Sequence, residues 1–274
     1  MKRLIGVLLA VLLTCGMSLA QRDPRPLELA EGQENLALGK PYLFSAVPSY
    51  RLTHNETDLQ DLTDGLLTWR QDDKIWFDAN ACAWYGDPYV NIQLDLGEVR
   101  PISEVGIRLL GGAEQGGLKF PDEVIVLLSD DGEAWRRAGQ FRRVRENEQR
   151  EHPFGVPPEE GVAYTHPLRF ADLKAAGRYV GFKITGQTSF VASDELWVLA
   201  GDHSIADASA GEPFDGEFIV HNFTPDGLTA YFNKSRVYAC SNLQAFQTLH
   251  GLDNRPKETN KSPVEVLLDL PDGV

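Results

Sequence analysis

The sequence is poor in cysteine, in positive charge and in long apolar runs, and each shortage removes a class of protein. Three cysteines in 274 residues, Cys15, Cys82 and Cys240, cannot build a disulfide framework. Lys and Arg number 26 against 40 Asp and Glu, a formal charge of −14. A surface that acidic repels nucleic-acid backbones and anionic lipid, which argues against nucleic-acid partners and electrostatic membrane docking. After the first apolar run no segment is hydrophobic enough to cross a bilayer. Helical periodicity is missing as well, and no internal repeat stands out. The Gly-x-Ser-x-Gly, His-Glu-x-x-His, phosphate-loop and Cys-x-x-Cys signatures are absent, so the residues spell no catalytic constellation. Carboxylates are plentiful, but Asp72-Asp73 and Asp130-Asp131 fall on loop and turn positions that solvation explains.

What is present begins with an export signal. Lys2 and Arg3 precede the apolar run Leu4 to Leu13, and Ser18-Leu19-Ala20 gives the small-x-small cleavage pattern before Gln21. Residues 1–20 therefore read as a signal peptide, and the expected location is secreted or periplasmic. A lipoprotein box at Leu12-Leu13-Thr14-Cys15 is the competing reading, disfavoured by the threonine before the cysteine. Loss of the leader removes two basic residues and deepens the acidity. Export permits a disulfide, yet Cys82 and Cys240 fall in different expected modules and read as unpaired thiols. Asn-x-Ser/Thr sequons begin at Asn55, Asn222, Asn233 and Asn260.

Residues 21–34 are rich in Pro and Glu and read as a solvated leader. The centre of the next region is YVNIQLDLGEVRPISEV, Tyr89 to Val105. Val90, Ile92, Leu94 and Leu96 alternate with Asn91, Gln93 and Asp95, the period of a strand with one buried face. Gly97 and Pro101 turn a corner, after which Val105, Ile107 and Leu109 alternate again. Further short alternating runs at Val124–Leu128, Arg178–Ile184 and Asp194–Val198 are separated by Gly, Pro and Asp. The expected fold class is all-β, an antiparallel sandwich over residues 35–200. Residues 201–212 have linker composition. Residues 213–274 resume β-like alternation and read as part of a second β-rich module, whose last turn signal suggests a chain that continues.

The order NLALGKP, LTDG with a following tryptophan, VNIQLDLGEVRPISEVGIR, LSDDGEAW, GRYVGFKI and ASDELWV resembles the discoidin or coagulation factor V/VIII type C family. That family includes the family-32 carbohydrate-binding modules, and the resemblance spans Asn35 to Ala200. It implies a galactose-binding-like jelly roll, an accessory module that grips glycan without transforming it and is often joined to a glycan-degrading enzyme. The terminal cysteine pair of the animal domains is absent here, which favours the carbohydrate module over a lipid binder.

The resemblance also implies sites. A structural calcium ion would be held by the carboxylates of Asp64 and Glu195 and the hydroxyl of Thr68, with the carbonyls of Asp61, Leu66 and Asp194 completing an oxygen shell. Set against this, Asp64-Gly65 is an ordinary turn pair and Glu195 an ordinary acid. Sugars need an aromatic face for their C–H side and donors for their hydroxyls. Tyr50, Arg51 and His54 on one loop, Trp76, Trp84 and Tyr85 on another, and Phe190 before the last strand are the candidates. Trp69 and Trp135 read as core plugs, and Trp84 is open to the same reading. Arg136, Arg137, Arg142, Arg143, Arg145 and Arg150 could hold sulfate or uronate, but interleaved Glu146, Glu148 and Glu151 favour a solvated hairpin. Two alternatives remain open: the leading part of a glycoside hydrolase or lyase with its chemistry further along, and an adhesion module that binds protein.

Overall fold

The computed structural model describes residues 24–55, 57–68, 75–78, 80–87, 89–113, 117–142, 161–186, 190–207 and 209–221, together with two strands at 229–233 and 236–240. The expected signal peptide, Trp69, the arginines at 143, 145 and 150, and most of the expected second module lie outside the described residues.

Eleven strands run in order β1 (Arg25–Pro26), β2 (Tyr42–Phe44), β3 (Leu66–Leu67), β4 (Cys82–Tyr85), β5 (Tyr89–Gly111), β6 (Glu123–Ser129), β7 (Arg136–Arg142), β8 (Tyr164–Phe170), β9 (Ala175–Thr185), β10 (Phe190–Ala200) and β11 (Glu212–Pro213). A single turn of 3-10 helix covers Ile75–Phe77. Every pairing between these strands is antiparallel. Two later strands, β12 (Thr229–Asn233) and β13 (Arg236–Cys240), pair with each other. The expected all-β class stands.

The central stretch is one strand rather than two. β5 runs unbroken from Tyr89 to Gly111, and the expected corner is a register shift between Asp95 and Arg100. Its first half pairs with β9 and β2, β9 follows it as far as Ile102, and from there to Gly111 it pairs with β10 and β8. One strand thus passes from one layer of the sandwich to the other. The alternation read from the sequence holds: Val90, Ile92, Leu94, Val105, Ile107 and Leu109 are fully buried, and they meet Val124, Val126, Val180, Phe182, Leu196 and Val198 in one core. Trp135 is not a core plug. It sits on the outer face, its ring 4.7 Å from that of Phe218.

Two stretches that the sequence places outside the sandwich are tied to it. Arg25–Pro26 pairs with Leu66–Leu67, and Leu27 N donates to Gly65 O at 2.8 Å. At the other end, residues 212–221 form a strap over the outer face. Glu212–Pro213 extends the sheet beside β7, Phe214 N donates to Trp135 O, and His221 N donates to Phe44 O at 2.7 Å. Gly181 admits the strap, because a Cβ there would lie 2.8 Å from the Phe218 ring and 3.1 Å from Trp135. Gly181→Ala should therefore lift Phe218 at a cost of about 1–3 kcal/mol, the usual range for overpacking. Limited proteolysis with mass spectrometry should show new cuts within 214–221; an unchanged cleavage pattern would mean the strap is not seated on that glycine.

Candidate functional site

At one end of the sandwich the loop after β2 is laid against β4. Ser49 N and Tyr50 N both donate to Ala83 O, and Tyr85 N donates to Ser49 Oγ at 2.8 Å. Phe190 is the direct cross-strand partner of Tyr85. These bonds bring together three of the expected aromatics: Tyr50 meets Phe190 edge-to-face at 5.1 Å and lies 6.5 Å from Tyr85. Tyr85 is 63% exposed, whereas Phe190, expected to be the stacking ring, is 7% exposed. Its place is under the rim: with Ile75, Ala81, Ala83, Leu110, Ala163 and Ala192 it forms a small apolar cluster on which Tyr50 and Trp76 rest.

Trp84 requires a correction. Alternation along β4 turns Tyr85 outward and Trp84 inward, where it is 1% exposed and donates from Nε1 to Ala46 O at 2.7 Å. Its ring packs edge-on against Phe44. It is core. Arg51 is exposed on the turn after Tyr50. His54 is half-buried, with Nδ1 2.6 Å from Asp58 Oδ2 and its backbone N bonded to Tyr50 O. The fully buried Asp58 therefore anchors the histidine of this loop.

Beneath the rim lies a group of buried acids. The Asp64-Gly65 turn carries a positive φ of 77° at Gly65, a conformation glycine adopts without strain. Gly65 N then donates to Glu195 Oε2 at 3.0 Å, and Leu66 N to Asp64 Oδ1 at 2.8 Å. The Asp64 and Glu195 carboxyls lie close enough for each to shift the other's ionisation. Two residues far apart in sequence thus put their carboxyls side by side. Burial, with Asp64 next in importance, pushes Glu195 up to about 10, and burial likewise raises Asp64. Burial also raises Asp61, to about 7.

Thr68 and Asp194 are committed differently from what the sequence suggested. Thr68 donates from both N and Oγ1 to Asp194 Oδ2 at 2.8 Å, and the same oxygen takes a close ion pair from Arg108. Arg108, only 4% exposed, also reaches Thr165 Oγ1 at 2.6 Å. Asp61 Oδ2, Asp194 Oδ1 and Glu195 Oε1 are buried oxygens with no hydrogen-bond partner. Such orphans are rare and costly, and acidic oxygens suit a hard cation; among the described residues, the carboxylates and thiol brought within 4.8 Å of one another are those of Asp58, Asp61 and Cys82.

Arg108 and Asp58 escaped the sequence reading. Cys82 is a buried free thiol that donates to Asp58 O at 3.3 Å. Burial, followed by the nearby acids, keeps that thiol well above its ordinary range and hence protonated. Among the arginines, Arg136 is engaged with the carbonyls of Ala210 and Ala176, and Arg137 with Glu212. They fasten the chain before the strap.

No family model matches the chain, and no curated protein matches it. Solved structures similar to it include a fucose-binding module from Streptococcus pneumoniae, 17% identical, covering 64% of this chain and 100% of that one at a TM-score of 0.39. A chitosan-binding module of a Paenibacillus chitosanase/glucanase is 14% identical over 61% of this chain and 99% of its own, also at 0.39. A fucolectin from striped bass (Morone saxatilis) serum is 18% identical over 61% and 49%, again at 0.39. At such identities and TM-scores the likeness says nothing of what this chain binds, and its all-β class rests on its own strand pairings.

Proposed function

We propose that the sandwich is a glycan-binding module of an exported protein, stiffened by a calcium ion, which brings an attached domain to its polysaccharide. The observation that carries the reading is the rim: Tyr85, largely exposed, stands beside Tyr50 on a buried Phe190, with Arg51 and His54 on the same loop. An exposed ring beside hydrogen-bonding groups is what the C–H face and hydroxyls of a sugar require. Calcium would be held by Asp64 and Glu195, with oxygens of Asp61, Leu66, Thr68 and Asp194 within the same turn and strand. Bound there, it supplies positive charge that ties the turn to β10.

Affinity electrophoresis against a panel of polysaccharides tests the function. Tyr85→Ala should weaken retention about tenfold, the loss of roughly 1.4 kcal/mol, without moving the melting temperature, because the ring is exposed. Arg51→Ala should weaken retention in the same direction. Migration unchanged by every polysaccharide, or retention indifferent to Tyr85, would count against the rim.

A further inference from the structure

The strap builds something the sandwich alone lacks. Between it and the start of β5 opens a cleft of about 320 Å³, lined by Ser45, Tyr89, Glu217, Ile219 and His221. Three of these five residues belong to the strap. The cleft is at the small end of the range for ligand sites, about 300–1,000 Å³, which suits one small ring.

Its walls are chemically mixed. Ile219, 41% exposed, and the ring of Tyr89 supply apolar surface. Lys183 fixes the back of the cleft: its ammonium lies 5.5 Å from the Tyr89 centroid and donates to the Glu217 carbonyl. The carboxylate of Glu217 and the hydroxyl of Ser45 can accept hydrogen bonds. Burial lowers the pKa of His221, so its imidazole is neutral and adds no charge to the cleft.

Asn91 adds a separate observation. It was expected to face solvent, yet it is fully buried between two of the lining residues. Its backbone N donates to Ser45 Oγ at 2.8 Å and its Nδ2 to Ile219 O at 3.0 Å, while Oδ1 has no partner. Asn91 thus ties Ser45 to Ile219 and holds two walls of the cleft together.

We propose that this cleft is a second saccharide subsite that takes one pyranose ring, apart from the rim of Tyr50 and Tyr85. A pyranose brings a C–H face to Ile219 and Tyr89 and hydroxyls to Ser45 and Glu217. An anionic ligand would meet the Glu217 carboxylate on a chain of net charge −14. The subsite rests on the proposed function only for its class of ligand.

The test is a titration of the full, isotope-labelled chain with galactose, glucose, mannose, fucose, xylose and N-acetylglucosamine, followed by amide NMR. At least one sugar should shift the amides of Ser45, Asn91 and Ile219, and should still do so in Tyr85→Ala. Ile219→Trp, which fills the cleft, and Glu217→Ala, at an exposed position, should each weaken that response at least tenfold; the second variant guards against misfolding of the first. Shifts confined to Tyr50, Tyr85 and Phe190 would overturn the cleft and leave the rim standing. Shifts confined to the cleft would support the subsite and remove the rim. No response to any sugar, or a cleft response that survives both substitutions, overturns the subsite.

Discussion

Calcium at a hundredfold excess over its dissociation constant should raise the melting temperature by about 5–10 °C near pH 8, and a chelator should remove the rise. The size follows from about 2.7 kcal/mol of linkage and about 2–4 °C per kcal/mol for a domain of this size. The pH dependence gives the sign. Glu195 has its pKa raised from 4.5 to about 10 in the folded protein, and that of Asp64 is raised from 3.8. Without metal, the folded state holds protons that the unfolded chain has already released above about pH 4–5. The metal-free protein therefore loses stability as pH climbs from there toward about 10, the reverse of a salt-bridged carboxylate. Calcium would compete with those protons, so its stabilisation should grow with pH and nearly vanish at about pH 5. Thermal melts with calcium or chelator across this range read the effect directly. In Glu195→Gln the calcium response should disappear while the fold persists, because the amide still accepts from Gly65 N. A melting temperature indifferent to chelator at both ends of the range would remove the ion.

Arg108→Met should cost about 3–5 kcal/mol, the usual penalty for stranding a buried charge. Arg108 is enclosed, and its guanidinium is the counter-charge to Asp194, whose carboxyl is fully buried. Burial raises the Asp194 pKa, and Arg108 is the largest influence opposing it. The substitution would leave that carboxyl with only Thr68 as donor and would loosen the link to Thr165 on β8. The double variant Arg108→Met with Asp194→Leu should recover much of the loss, since well-packed apolar groups often replace a buried ion pair at little cost. Urea denaturation of the three proteins decides the matter. A single variant within about 1 kcal/mol of the unaltered protein, or a double variant no better than the single, would show that the pair does not hold this region together.

The sequence carried the core because strand alternation is a local signal: Val90, Ile92 and Leu94 declare their face without knowledge of any partner. The meeting of Asp64 with Glu195 was legible only through a family resemblance, as nothing in the spacing joins a turn to a strand so far along the chain. Aromatics were harder. Trp84 and Phe190 are residue types that serve equally as stacking platforms or as filler, and cross-strand register with Tyr85 decides which way each points. Arg108 sits between Ile107 and Leu109 and so looks like an outward-facing charge; the flanking β8 and β10 and the Thr68 turn enclose it. The strap misled for another reason. Residues 213–221 alternate as a strand would and so read as part of a second module, while their attachment depends on Phe218 meeting a bare glycine and on backbone bonds that the pattern does not report.

The passage of β5 through both layers has a consequence for biogenesis. Apart from β2, every neighbour of this apolar strand is made after it, and β8, β9 and β10 come late. A chain emerging N-terminus first displays Tyr89–Gly111 with its edges open, apart from the short stretch beside β2, until those segments follow. Slow, non-local pairing of this kind leaves a sticky intermediate, so the nascent protein should depend on a holding chaperone far more than its finished stability would suggest.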